Sequence, residues 1–340
     1  MQQSQNKKLL WQLPFLVLLI VGTVLIIRQQ RNMPYQKSAD KVFGTFYHAV
    51  YQCDSDMTYS INAELAKVDE SLSPFNPKSI ITAVNQNQDV HLNDMFLDVY
   101  QLAMKISNET DGAFDITVAP LVNAWGFGFK NGIEPSKQQV DSLMQIVGYQ
   151  KVTLEKGRIR KTDDRIMLDC SAIAKGYGTD VVANLLRKKG VKNFMIEIGG
   201  EIVTSGLNPE QKPWRVGISK PVDDVQGTQE VQSIVAITDK AMATSGNYRN
   251  FYYKGGKKYA HTIDPKTGYP VQHSILSATV FANTCAVADA YATSFMVMGL
   301  EKARKLLEQH PELMAYLIYG DKDGKTAVWY SPSLKNKIQD

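Results

Sequence analysis

Apolar positions recur along the chain in two rhythms. In the first, Ile61, Leu65, Val68 and Leu72 are spaced by four, three and four, which predicts an amphipathic helix that stops before Ser73-Pro74. A second helix is expected after the capping residue Asn93, with Phe96, Leu97, Leu102 and Ile106 apolar and an end near Asp111-Gly112. Ala172 to Lys189 reads as a third, with Val181, Val182, Leu185 and Leu186 on its inner face and Gly190 closing it. The second half of Ile133 to Gly148, together with Cys285 to Met298 and Lys302 to Glu308, completes the helical set.

In the second rhythm, short β-branched and aromatic runs bounded by turn residues predict strands. They are Val42 to Tyr51, Lys151 to Leu154, Arg158 to Lys161, Arg165 to Asp169, Phe194 to Ile198, Ile202 to Ser205, Trp214 to Ser219 and Ile234 to Thr238. Phe251 to Tyr259 around Gly255-Gly256, and Leu313 to Tyr319 with Thr326 to Tyr330, read as hairpins. Strands and helices mix without strict βαβ alternation, so the pattern predicts an α+β fold in one compact domain of mixed sheets and helices.

One segment follows neither rhythm. Leu9 to Ile27 is a 19-residue run whose clearly polar members are Gln12 and Thr23. At about 1.5 Å per residue it is just long enough, as a helix, to cross a bilayer. It reads as a transmembrane anchor (9–27), preceded by a short basic segment (1–8) and followed by a polar tether (28–40), with the folded body expected over 41–340. A cleaved signal peptide is the rival reading, against which Arg28, Gln29, Gln30 and Arg31 offer no small-x-small site.

Composition narrows the function. With 44% hydrophobic and 21% charged residues the chain is an ordinary globular one, which excludes disorder, collagen and multi-span membrane classes. The formal charge of +4 comes from 38 Lys plus Arg against 34 Asp plus Glu. Residues 1–40 hold five of the bases and one of the acids, so the body carries 33 of each and is neutral. No basic-aromatic stripe is present, and nucleic-acid binding is excluded on that ground. Cys53, Cys170 and Cys285 are far apart and lack CxxC or His spacing, so they read as small buried hydrophobes rather than zinc ligands.

Four segments concentrate Gly, Asp, Asn, Ser and Thr beyond what packing requires. Asp111 to Pro120 reads as a helix stop followed by a strand. Asp169 to Gly178 is a strand end leading into a helix, where glycines, free N–H donors and Lys175 would suit a diphosphate, although an ordinary helix cap explains it equally well. Thr244-Ser245-Gly246 continues downstream into His261-Thr262-Ile263-Asp264-Pro265-Lys266-Thr267-Gly268, which is either turn chemistry or a loop presenting His261 as a general base. In the small-residue helix from Cys285, Asp289 and Thr293 stand at i and i+4 on one face. A carboxylate there needs a hydrogen-bonded loop or a hard cation such as Mg²⁺ to satisfy it.

Taken in order, these segments resemble the FAD:protein FMN transferase family, also called ApbE-like flavin transferases. The likeness runs from Phe43 to Gly299 and rests on Asp-Gly-Ala-Phe-Asp-Ile-Thr, Ser-Ala-Ile-Ala-Lys-Gly-Tyr, Gly-Gly-Glu, Thr-Ser-Gly-x-Tyr, His-x-Ile-Asp-Pro-x-Thr-Gly and Ala-Asp-Ala-x-Ala-Thr. The resemblance implies an enzyme that cleaves FAD at its diphosphate and moves FMN onto a threonine hydroxyl of an acceptor protein, releasing AMP. It implies metal ligation by Asp289, Thr293 and the carbonyl of Ala172, and flavin contacts at Phe75, Ala113, Phe114, Asp115, Asp169, Lys175 and Ile263. His261 and Lys175 are the expected catalytic pair, His261 (with Asp289 as the alternative) taking the threonine proton and Lys175 absorbing charge on the leaving AMP.

The chain departs from the family in carrying Phe43 where a Met usually meets the flavin, and in lacking a lipid-modifiable cysteine near its apolar run. The family also implies acceptors among membrane redox subunits of the Na⁺-translocating NADH:quinone reductase and Rnf type. With the anchor, that places the protein in the inner membrane, single-pass, with its body on the periplasmic side. An FAD diphosphatase and a non-catalytic FAD-binding protein are the competing readings.

Overall fold

The expected strand from Val42 to Tyr51 is in fact a hairpin turn with a strand on each side. Phe43 and Gly44 take positive φ, 49° and 73°, the two-residue turn whose twist matches antiparallel strands. The computed structural model describes residues 12–24, 33–127, 134–221, 230–247, 251–254, 257–272, 274–323 and 325–339. A helix over 12–24, here α1, comes first. The hairpin follows as β1 (Tyr35–Val42) and β2 (Thr45–Gln52), then α2 (Thr58–Leu72), α3 (Ile80–Asn85), α4 (Asp94–Glu109), α5 (Ala119–Ala124) and α6 (Lys137–Met144). Next are β3 (Val152–Glu155), β4 (Arg158–Lys161), α7 (Ser171–Lys188), β5 (Phe194–Ile198), β6 (Glu201–Ser205), β7 (Trp214–Ser219) and β8 (Val231–Ile237). The chain continues through β9 (Ala241–Gly246), β10 (Phe251–Lys254), β11 (Lys257–Ala260), β12 (Ile275–Ala282), α8 (Cys285–Met298), α9 (Leu300–Gln309), β13 (Met314–Gly320), β14 (Thr326–Tyr330) and β15 (Ile338–Gln339).

Two expectations change at the N-terminus. Because β1 starts at Tyr35, the second half of the expected tether (28–40) belongs to the sheet. Leu13, Phe15, Leu16 and Leu18 of α1 are exposed, but no helix among the described residues is long and apolar enough to cross a membrane. The remainder of the expected anchor, 9–11 and 25–27, lies outside the described residues, as do 1–8.

An antiparallel sheet in the order β1-β2-β5-β6-β9-β12-β13-β14 forms the middle layer. On one face α7 lies over β5 and β6, and α8 over β9 and β12. Ala278, Val280, Ala288, Ala292 and Phe295 are buried between sheet and helix there. On the other face the small sheet β15-β8-β7 covers Ile202, Met242, Phe281 and Tyr316 with its own Val216, Ile218 and Val235. The fold is therefore a mixed α+β single domain of three layers, as the lack of βαβ alternation predicts.

The expected strand from Arg165 to Asp169 does not form. The side-chain amide of Asn85 takes a neighbouring strand's place: its Oδ1 accepts from Leu168 N–H at 2.7 Å and its Nδ2 donates to Leu168 C=O at 2.9 Å. Asp169 N–H donates to Ile116 C=O at 2.7 Å. This segment thereby runs beside Asp115-Ile116-Thr117 and delivers the chain to the start of α7. Asp111 to Pro120 does follow a helix stop, α4 ending at Glu109, but in place of the expected strand it passes through turns into the short helix α5.

Candidate active site

The two central helices meet backbone to backbone. A Cβ added to Gly176 of α7 would lie 2.5 Å from the carbonyl oxygen of Cys285 at the head of α8, a distance no side chain tolerates. One turn further along α7, Asp180 accepts from Cys285 N–H at 2.8 Å and Ala286 N–H at 2.9 Å. It satisfies the first-turn donors of α8, which its own N-cap residue Thr284 leaves without a side-chain cap. Burial pushes the Asp180 carboxyl up to about 6, against the lowering effect of those two donors.

The same approach positions Asp289. Its side chain is buried, and Oδ2 accepts from Gly176 N–H at 3.1 Å. Burial raises its pKa, while the Lys175 charge and the Gly176 N–H pull it down. In a helix the carbonyl of residue i points at the N–H of i+4, so the Ala172 carbonyl and the Asp289 carboxylate are directed to the same N–H from two helices. Thr293, one turn beyond Asp289, has its hydroxyl 3.0 Å from that of Ser245 at the end of β9.

Glu201 completes this cluster. It follows the Gly199-Gly200 turn at the head of β6, is buried, and its Oε1 is hydrogen-bonded to the Lys175 ammonium. Its Oε2 is buried with no hydrogen-bond partner. Burial pushes the Glu201 carboxyl up to about 7, against Lys175 and with Asp289. For Lys175 the burial cost is outweighed by Asp289 and Glu201, so its pKa is raised and the amine stays an ammonium.

These donors suit a hard cation. Asp289, Thr293 and the Ala172 carbonyl are all oxygen ligands, the set that Mg²⁺ takes together with waters and substrate phosphate oxygens. No group of three or more His, Cys, Asp or Glu side chains able to hold a metal occurs among the described residues, and a site of one carboxylate, one hydroxyl and one carbonyl does not need such a group.

A second set of expected residues forms the adjoining wall. Asp115 is buried and its oxygens are used within the protein: Oδ1 accepts from the N–H and hydroxyl of Thr117, each at 2.7 Å, and Oδ2 from Tyr149 N–H at 2.8 Å. Its pKa is raised by burial in spite of those donors. Ala113 and Phe114 are buried, the Phe114 ring in the main core. Asp169 Oδ1 accepts from Ser171 N–H at 2.8 Å, ahead of α7. Ile263 packs with Leu121, Trp125, Val140 and Val147, and Phe75 presents a ring that is 70% exposed in the α2–α3 connection.

His261 opens the loop that carries Ile263. Its ring is edge-on to Phe127, with centroids 6.4 Å apart. The next residue, Thr262, donates to Asn247 Oδ1 at 2.8 Å, two positions past Ser245, so this loop is tied to the strand whose end reaches Thr293. Trp125 Nε1 closes the far side on Gly268 C=O at 2.8 Å, and Lys266 forms an ion pair with Asp111.

Asp115→Ala removes three hydrogen bonds at once and leaves two backbone donors and a buried hydroxyl to re-satisfy. It is expected to destabilise the protein by about 2–4 kcal/mol, measured as a fall in the denaturation midpoint in urea.

Sequence reading had not assigned roles to Glu201, Asp180 or Ser245. The available signal for Glu201 was an acid directly after Gly199-Gly200 at the head of the apolar run Ile202-Val203, where a solvated charge is out of place. Cys170 and Cys285 are buried and, like Cys53, free, and burial raises both of their thiol pKa values.

The same overall fold is found in solved flavin transferases. The flavin transferase ApbE from Vibrio cholerae superposes with a TM-score of 0.80 at 33% identity, over 89% of this chain and all of that one. The flavinyl transferase ApbE from Pseudomonas stutzeri, in its apo form, gives 0.79 at 28% identity, over 89% of this chain and 96% of that one. In sequence, an FAD:protein FMN transferase of Haemophilus influenzae is 38% identical over 84% of this chain and 86% of its own length. One of Escherichia coli is 34% identical over 87% of each. The fold and site thus define a transferase. Residues 43–318 match the ApbE family, and the chain belongs to it.

Proposed function

We infer that the protein is an FAD:protein FMN transferase that, with Mg²⁺, moves FMN from FAD to a threonine hydroxyl of an acceptor protein and releases AMP. The observation that carries this reading is the convergence of Asp289 and the Ala172 carbonyl on one N–H of α7, with Lys175 held beside them by Glu201. Asp289, Thr293 and the Ala172 carbonyl would hold the metal, which when bound polarises the phosphorus on the flavin side of the diphosphate.

The chain's own residues supply the rest. The Lys175 ammonium and the N–H groups at the start of α7 favour the negative charge that accumulates as the P–O bond to AMP breaks. Phe75 offers an exposed ring face for the isoalloxazine to stack on. Ile263 and the backbone of Ala113 and Phe114, whose N–H groups donate to the carbonyl and hydroxyl of Thr110, shape the flavin side. His261 accepts the proton of the threonine hydroxyl as its oxygen attacks phosphorus. The acceptors this reading favours are membrane redox subunits of the Na⁺-translocating NADH:quinone reductase or Rnf type. The exposed apolar side chains of α1 support membrane association, and acceptors of this class go with an inner-membrane location and a periplasmic body.

The test incubates the full chain with FAD, Mg²⁺ and an acceptor domain, followed by denaturing electrophoresis read by flavin fluorescence. A fluorescent acceptor band with stoichiometric AMP is expected. Free FMN with an unlabelled acceptor would make the protein a diphosphatase, and unchanged FAD a binder. His261→Ala is expected to slow acceptor labelling by about 10² or more, and a loss below tenfold would remove His261 as the base.

A further inference from the structure

The Lys175 ammonium is hydrogen-bonded to the buried Glu201, its neighbour Gly176 donates to the buried Asp289, and the charge of each carboxylate is felt at its amine. The hydrogen bond goes to Glu201 alone. Asp289 instead spends one oxygen on Gly176 N–H. Glu201 is held there at a cost: it is 3% exposed as a side chain and one of its oxygens has no partner. A half-satisfied buried carboxylate is unfavourable by itself, so burial and hydrogen bonding alone do not account for this acid.

We propose that Glu201 is a positioning residue that draws the Lys175 ammonium away from Asp289, so that the Asp289 carboxylate remains open to a divalent cation. The inference rests on the reading of Asp289 as a metal ligand. Its logic is competition. An ammonium and a divalent cation seek the same carboxylate, and in a buried setting the attraction of a lysine for the nearest unpaired acid is strong. With Glu201 present, the lysine has its own acid, fixed by the Gly199-Gly200 turn and the β5–β6 pairing of Ile198 with Glu201. With Glu201 removed, Lys175 has Asp289 as its remaining buried acid and becomes an internal competitor for the metal. The two residues that set metal affinity in this way are thus not ligands at all.

The experiment measures Mn²⁺ binding to the full-length protein by the loss of the free-ion electron paramagnetic resonance signal, without FAD, for the parent and six variants. Glu201→Ala is expected to weaken Mn²⁺ binding by about tenfold or more, and Glu201→Gln, which keeps an acceptor but not the charge, by a smaller factor. Lys175→Met alone is expected to bind at least as tightly as the parent. The decisive variant is the double one, Glu201→Ala with Lys175→Met, expected to recover the affinity of Lys175→Met. A purely structural role for Glu201 would leave the double variant as weak as Glu201→Ala. Glu201→Gln with Lys175→Met gives the same comparison with the shape of the side chain kept, should the alanine variants fail to fold. Binding by Glu201→Ala equal to the parent, or no recovery in the double variants, would overturn the proposal. Asp289→Ala is the control: if it binds Mn²⁺ as the parent does, the metal reading and this inference fall together, whereas its loss of binding with no effect at Glu201 removes the inference alone.

Discussion

Asp289→Asn is expected to lower FMN transfer by about 10² or more while leaving the metal-free protein at least as stable as the parent. The two halves of this result have one cause. Asparagine can still accept from Gly176 N–H, so the bridge between α7 and α8 survives, but it is a poor ligand for a hard cation. Burial raises the Asp289 pKa against the pull of Lys175, which means that the folded protein disfavours the charged form, and a neutral amide removes that cost. Transfer rates with saturating Mg²⁺ and thermal melts without added divalent ion read the two effects separately. A large fall in melting temperature would show that the charge itself holds the helices together.

The same logic fixes a sign for pH. Asp180, pushed to about 6, and Glu201, pushed to about 7, both lie above their ordinary values, as does Asp289. A carboxyl whose folded pKa is raised contributes stability that is fully present below its unfolded pKa and is lost as pH rises through the folded one. Without divalent ion the protein should therefore lose stability between about pH 4 and pH 7, on the order of 1–3 kcal/mol. Added Mg²⁺ should flatten the slope by compensating the Asp289 charge.

Gly176→Ala carries the second large effect. On helix propensity alone the change would help, by about 1 kcal/mol. The new methyl, however, would sit 2.5 Å from the Cys285 carbonyl oxygen and 2.9 Å from the Ala286 Cα. These are backbone atoms and cannot rotate away, so α7 and α8 must part. The expected result is a net loss of roughly 1–3 kcal/mol, together with collapse of transfer activity, because Asp289 loses its place against Gly176 N–H. Gly178→Ala is the internal comparison. There the close neighbour is the ring of Phe43, at 2.7 Å, a side chain that can shift, so stability should fall less and transfer should persist.

That comparison bears on how the sequence can be read. The glycines in Lys175-Gly176-Tyr177-Gly178 suggest room for a ligand's phosphates, yet the space they leave is filled by protein: the backbone of Cys285 at one and the ring of Phe43 at the other. The motif was visible, but what it makes room for depends on elements about 110 and 130 residues away in the chain. The amphipathic helices were legible because one face is wet, as in α2, where Ile61, Leu65, Val68 and Leu72 are all buried. Two central strands have no signal of this kind. In β12, seven of eight positions are buried, and the neighbouring β9 is made of Ala, Met, Thr, Ser and Gly. A strand covered on both faces shows no alternation, and small residues carry little strand signal of their own. Asp289 stands out as an acid in an apolar helix, whereas Glu201 falls within the Gly-Gly-Glu motif with no role to be read from its spacing.

Phe43 joins parts of the protein that the element order keeps separate. Held at positive φ in the β1–β2 turn, its ring packs against both of the larger apolar clusters, the one beneath α8 and the one formed by β2, β5 and α7. An aromatic side chain shared in this way makes opening of either cluster expose the other, so the first hairpin and the start of α7 belong to one cooperative unit. The residue that stands where the family usually has a methionine thus ties the integrity of the first hairpin to that of the candidate site.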